Sequence, residues 1–160
     1  MNAIAVVDEN WGLGLDGKLL AHLPGDLKHF KEKTIGNTII IGRVTYESMA
    51  GLLPGRETVI LSGDVNFKAN CRVVRSLEEA LEYCKSKLGA GIFIAGGEAV
   101  YKLFYPYTDH FFITKLYAAF KADRYFPNLD EEPDLTVREL SGPIEENGIR
   151  YQFFKYTRVK

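Results

Sequence analysis

Cysteine is scarce in this chain. Cys71 and Cys84 are the only two and form no Cys-x-x-Cys pair, and His22, His29 and His110 complete no zinc-ligand pattern. That excludes a disulfide-stapled scaffold and a structural zinc site, and predicts reduced, buried thiols with no bound metal. An excess of charge is lacking too: 20 lysines and arginines face 21 aspartates and glutamates, for a formal net charge of -1. Such a surface creates no field to gather nucleic acid or anionic membrane, so small-molecule partners are expected. No apolar run approaches the ~20 residues of a membrane span. The start, "MNAIAVVDEN", has no basic segment before its short apolar stretch, and the expected location is the cytoplasm.

What is present is enough for one well-buried core: 160 residues, 46% of them hydrophobic, with no internal repeat or low-complexity linker to divide residues 1–160. Short β-rich runs ("AIAVV", "NTIII", "ETVILS", "CRVV", "GIFIA") alternate with helical stretches at 24–33, roughly 44–50, from Ser76 through "SLEEALEYCKSKL", and from Glu98. Ser76 reads as an N-cap and Glu79 as the other half of a capping box. Alternation of strand and helix predicts a single α/β domain around a mostly parallel sheet. After Pro106 three β-like runs follow one another without a helix, which predicts antiparallel pairing at the C-terminal end, with "SGPIEENG" as a turn.

Two features do not fit plain packing. In "HLPGDLKHFKEKT", Leu23, Leu27 and Phe30 form the buried stripe of an amphipathic helix, and Asp26 falls on that same stripe. A first-turn carboxylate suits the helix dipole, which explains its place along the helix but not its face. A carboxylate deprived of water needs a partner, supplied by the fold or by a ligand. The second feature is the Gly-punctuated segment from Asp8 to Gly25, apolar without either period. It reads as a lid over a pocket or as an ordered surface loop, and its leucines favour the lid.

Two places run from strand through glycine into helix: "TIIIGRVTYESM" and "GIFIAGGEAVYKLF". Neither is Gly-x-Gly-x-x-Gly or a Lys-Ser/Thr phosphate loop, and each alone is compatible with ordinary αβ packing. Arg43 beside the first turn suits phosphate better than core, and Thr45, Ser62 and Arg75 add donors. Arg56, after the Pro54-Gly55 turn signal, could be a solvated arginine flanking Glu57 or an anion clamp.

Together these segments resemble dihydrofolate reductase over nearly the whole length. The resemblance rests on "LGLDGKLLAHLPGDLKHFK", "IIIGRVTYESM", "LLPGRETVILS", "FIAGGEAVYKLF" and "FFITKL", in family order and spacing. It implies an eight-stranded, mostly parallel sheet with an antiparallel C-terminal strand and about four helices. It also implies NADPH as cofactor, 7,8-dihydrofolate as substrate, antifolates as further ligands, and a monomer.

By that resemblance Asp26 is the pterin-binding carboxylate and Thr114 the hydroxyl that bonds it. Leu19 of the lid and Tyr101 beside the nicotinamide complete the catalytic set. Ile4, Ala5, Leu27, Phe30, Met49, Leu53 and Ala95 form the substrate walls, and Arg56 clamps the glutamate α-carboxylate. Val6, Leu13 and Gly14 serve the nicotinamide side. Gly42, Arg43, Val44 and Thr45 form the first cofactor turn. Ala95, Gly96, Gly97, Glu98, Ala99, Val100 and Tyr101 form the second. Leu61, Ser62, Gly63 and Arg75 lie at the adenosine 2′-phosphate, and Glu98 is expected to face solvent.

The departures are Ala21, where the family usually has tryptophan, Leu19-Leu20 in place of a proline-containing lid pair, and Gly63 in place of a polar residue. Two rivals remain: a same-fold reductase of a pyrimidine intermediate, disfavoured by Arg56 and the Phe30 wall, and a non-catalytic pteridine- or nucleotide-binding protein, disfavoured by Asp26, Thr114, Tyr101 and both glycine turns.

Overall fold

Three consecutive isoleucines, Ile39, Ile40 and Ile41, are fully buried, as expected of a parallel strand covered on both faces. The computed structural model describes residues 1–49, 53–87 and 91–159. Along the chain the strands are β1 (Asn2–Val7), β2 (Gly12–Leu15), β3 (Lys18–Leu19), β4 (Thr38–Gly42), β5 (Glu57–Leu61), β6 (Arg72–Val74), β7 (Ile92–Ile94), β8 (His110–Leu116), β9 (Arg124–Tyr125), β10 (Leu135–Glu139), β11 (Ile144–Glu146) and β12 (Ile149–Arg158). The α-helices among the described residues are α1 (Pro24–Thr34), α2 (Arg43–Ser48), α3 (Leu77–Lys85) and α4 (Glu98–Phe104).

The main sheet runs β10-β12-β8-β1-β7-β4-β5-β6, with β11 added to β12. The pairs from β8 to β6 are parallel and those made by β12 are antiparallel, so the single α/β domain with an antiparallel C-terminal end is the observed architecture.

One split in this sheet creates the site. β1 follows β8 from Asn2↔His110 to Val7↔Lys115, whereas its pairing with β7 stops after Ala3↔Ile94. Beyond Ala3 the β7 side of β1 faces an opening in the sheet rather than a neighbouring strand.

"SGPIEENG" is not only a turn. Ile144–Glu146 is strand β11, and only Asn147 (φ 54) and Gly148 (φ 76) make the loop, a two-residue type I′ geometry that matches strand twist. The glycine-rich segment holds β2 and β3, which join β9 in a separate three-stranded sheet. The buried Asp8 carboxylate anchors that segment by accepting the N–H groups of Asn10 at 2.9 Å, Gly12 at 2.8 Å and Phe120 at 2.9 Å.

Of the expected apolar stripe only Leu23, which precedes α1, is buried; Leu27 is 46% exposed and Phe30 half-buried, because that face borders a cavity instead of the core. Both thiols are half-buried rather than buried, and partial burial pushes each upward in pKa. Ser76 caps α3 by accepting the Glu79 N–H at 3.1 Å, but Glu79 answers at the N–H of Arg75, one residue upstream of the expected partner. α2 spans Arg43–Ser48; the proposed helix end at Ala50 and the Leu88 end of the third helix lie outside the described residues. No described helix is long and apolar enough to cross a membrane.

Candidate active site

The opening beyond Ala3 leads into a cavity of about 550 Å³. Its walls bring together residues from distant parts of the chain. Ile4, Ala5 and Val6 come from β1, Asp26, Leu27 and Phe30 from α1, and Ala95 and Tyr101 from the region after β7. Met49 and Leu53 close one side, Thr114 of β8 sits behind Asp26, and Leu19 of β3 lines the cavity while 67% exposed. All of the predicted substrate wall is therefore assembled here. Lys18, His22 and Ser48 also line the cavity and were not anticipated. Ser48 stands one helical turn after Thr45, so i,i+3 spacing could have found it. For Lys18 and His22 the only signal was proximity to Leu19 and Leu20.

Asp26 projects from the first turn of α1, and the Thr114 hydroxyl donates to its Oδ1 at 2.7 Å. Burial raises the Asp26 pKa above the ordinary value of 3.8; the Thr114 bond opposes that rise and the charge of Glu146 adds to it. Among the described residues Oδ2 accepts no hydrogen bond, which leaves that oxygen for a ligand. The arrangement suits a planar pair of donors presented to a carboxylate in an apolar pocket.

Tyr101 is both core and site. It is buried, and its hydroxyl donates at 2.6 Å to the carbonyl of Ile4, one of the backbone groups freed where β1 leaves β7. Burial, then the nearby Asp26 charge, drives the phenol pKa far upward, so Tyr101 acts as a neutral donor.

The two glycine turns meet beside this cavity. The Gly42 N–H donates to the Gly96 carbonyl at 2.8 Å, and the Gly96-Gly97 peptide is cis. Gly96 has φ +119, a conformation that residues with a Cβ rarely adopt, and an added Cβ would occupy the space in front of the Thr45 hydroxyl, 3.4 Å from it, so the backbone here favours glycine. Thr45 lines the cavity itself. Val100 is buried against Gly42, whereas Val44 is 66% exposed at the surface of α2. Ala99 lies within α4.

Leu13 and Gly14 belong to the small three-stranded sheet: Gly14 pairs with Leu19, and its carbonyl accepts the Asp123 N–H at 2.9 Å. Glu98 does not simply face solvent. Its carboxylate turns onto β9 and accepts the Tyr125 N–H at 2.6 Å, tying α4 to the three-stranded sheet.

Farther along, Leu61, Ser62 and Gly63 leave β5 beside Arg75, as expected, but the loop contains a competing anion. Arg43 donates to Asp64 at 2.9 Å and to Glu47 at 3.2 Å, and stacks over Phe67 at 4.7 Å. Arg75 donates to the carbonyls of Ser62, Asp64 and Phe67. Both guanidinium groups are thus held around the 62–67 loop. Arg56 is outside the cavity at its rim, where it donates to Thr34 Oγ at 3.2 Å and to the Pro54 carbonyl at 3.1 Å and lies 5.9 Å over the Phe30 ring.

Comparison with known proteins agrees with this geometry. The dihydrofolate reductase family model matches residues 1–158. Dihydrofolate reductase of Bacillus subtilis (strain 168) is 36% identical over 158 residues, covering 97% of this chain and 92% of the relative. That of Staphylococcus haemolyticus is 31% identical over 163 residues, covering 100% and 96%. A solved dihydrofolate reductase from Enterococcus faecalis, complexed with NADP(H) and RAB-propyl, superposes with a TM-score of 0.85 at 33% identity and covers 99% of this chain and 96% of that one.

Proposed function

The chain belongs to the dihydrofolate reductase family, and from that membership we propose the division of labour by which its residues reduce 7,8-dihydrofolate to 5,6,7,8-tetrahydrofolate with NADPH. The observation that carries the proposal is the Asp26–Thr114 pair facing a largely apolar cavity. Asp26 accepts the pterin N3–H and 2-amino donors, and Thr114 holds the carboxylate in the plane that this fork requires. Leu27, Phe30, Met49 and Leu53 wall the rings, and Arg56 takes the glutamate α-carboxylate at the rim.

The cradle at Gly96, roofed by the Thr45 hydroxyl, fits the approach of a phosphate-bearing cofactor, since any side chain there would fill it. Gly42, Thr45, Gly96 and Gly97 would hold the NADPH pyrophosphate, and Arg43, Ser62 and Arg75 its 2′-phosphate. NADPH, when bound, supplies the hydride for pterin C6. The chain's own contribution is electrostatic and geometric. The Asp26 carboxylate favours positive charge on the pterin in a site from which the lid excludes water. Because Asp26 addresses the N3 edge, the proton for N5 comes by way of water rather than directly from the carboxylate.

We propose further that residues 1–160 work as one reductase domain, as a monomer in the cytoplasm. Mixing protein, NADPH and dihydrofolate and following loss of cofactor absorbance tests the reading. Turnover confined to a pyrimidine substrate, or tight binding of dihydrofolate without turnover, would overturn it.

A further inference from the structure

We propose that Glu146 is a positioning residue for this reaction: from hairpin β11–β12 its carboxylate caps the start of α1, and its charge tunes the carboxylate of Asp26. The proposal deepens the role given to Asp26 above and rests on it.

The helix that carries Asp26 begins without a cap of its own. Its N-cap residue is Leu23, which offers no side-chain acceptor, and Pro24 has no N–H. Gly25 is therefore the first residue of the helix with a donor to satisfy. Glu146 Oε1 accepts that N–H at 2.9 Å across 121 residues of sequence. The same oxygen accepts the Tyr151 hydroxyl at 3.3 Å. A Cβ at Gly25 would run into the Tyr151 hydroxyl, so the approach of hairpin to helix depends on glycine at this position.

The hairpin is built to hold this acceptor still. The Asn147-Gly148 loop sets the register Glu146↔Ile149 and Ile144↔Tyr151, which puts all four side chains on one face. Ile144, Ile149 and Tyr151 pack with Leu23 and Leu116, so the apolar part of that face grips the start of α1 while Glu146 reaches Gly25.

Asp26 is the next residue along the helix. The groups facing it are Thr114 on β8, Tyr101 on α4, Tyr151 on β12, Glu146 on β11, and Lys18 and His22 of the lid, which line the same cavity. Of these, Glu146 is the fixed like charge, and its influence on Asp26 is upward, in the same direction as burial. A more basic Asp26 accepts stronger hydrogen bonds from the pterin edge and carries the acid limb of activity to higher pH.

The test replaces charge and cap separately. Glu146→Gln keeps an oxygen for Gly25 and removes the charge; Glu146→Ala removes both. The Asp26 pKa is read in the ligand-free enzyme by carboxylate-resolved spectroscopy, beside thermal melting and the pH profile of kcat/KM. The expected result is a downward shift of the Asp26 pKa in both variants, with the Tm held in Glu146→Gln and lost, together with a higher KM for dihydrofolate, in Glu146→Ala. An unchanged Asp26 pKa in folded Glu146→Gln overturns the proposal, and that variant alone decides if Glu146→Ala does not fold. Because the titration needs no substrate, its outcome is independent of whether Asp26→Asn abolishes turnover.

Discussion

The Thr114 hydroxyl and the Asp26 carboxylate, 88 residues apart in sequence, meet at 2.7 Å. Their bond turns a charge placed on an apolar helix face into a defined acceptor, and the chemistry and the stability of the protein pull on that acceptor in opposite directions.

Asp26→Asn keeps the shape and removes the charge. Hydride transfer near neutral pH should fall by about 10²–10³-fold, the scale for losing one well-placed electrostatic group, with little change in NADPH affinity. Activity should partly return at low pH, where the substrate itself begins to arrive protonated at N5. Undiminished turnover at pH 7 would remove Asp26 from the mechanism.

The same substitution should stabilise the fold at neutral pH. The folded pKa of Asp26 lies above the ordinary 3.8. Between 3.8 and that raised value the native state binds more protons than the unfolded one, so this residue's contribution falls as pH rises and stays unfavourable above the window. Denaturant unfolding at pH 7 should therefore give a higher midpoint for Asp26→Asn than for the parent, and the difference should shrink on acidification.

His29 works in the opposite sense. Its ring stacks on Phe153 with centroids 3.9 Å apart, and burial, helped by Lys33, pushes its pKa from 6.5 down to about 4. The unfolded chain then binds the extra proton between pH 6.5 and about 4, so stability is lost as pH falls through that window. Unfolding midpoints at pH 7 and pH 5 should differ more in the parent than in His29→Phe, which keeps the stack and cannot titrate.

Asp64 occupies Arg43 where the cofactor's 2′-phosphate is proposed to bind. Asp64→Asn frees the guanidinium and removes a like charge. The ratio of kcat/KM for NADPH over NADH should rise roughly two- to five-fold at low ionic strength, as expected for exposed charge pairs, and the gain should fade with salt. A ratio indifferent to both the substitution and salt would move the phosphate elsewhere.

Arg56→Ala should weaken dihydrofolate by about ten- to a hundredfold, the worth of one charge-assisted hydrogen bond, while a pterin without the glutamate tail should bind nearly as before. Partial desolvation already lowers the Arg56 pKa, and the guanidinium is held in place by Thr34 and Pro54. Equal losses for both ligands would make Arg56 a brace of the Pro54-Gly55 turn.

Local pattern carried much of this architecture. The strand and helix alternation, the Ser76 cap and the isoleucine run of β4 all follow from short-range periodicity and side-chain chemistry, and the family resemblance named the residues of the cavity wall. Asp26 was conspicuous because a charge on an apolar stripe contradicts its surroundings, and the contradiction dissolves once that stripe borders a cavity. Other features depend on contacts between distant segments, which no local pattern encodes. Asn147-Gly148 signals a hairpin, yet nothing near Glu146 says that its carboxylate will meet Gly25, because that contact requires β11 to be carried past α1 by the register of β12. Likewise Asp64 looks like an ordinary loop residue until β4 and β5 pair in parallel and bring its loop to the start of α2, where Arg43 waits. Composition and periodicity act within a few residues of themselves; strand register and sheet order act across the whole chain, and it is through them that Thr114, Glu146 and Asp64 acquire their partners.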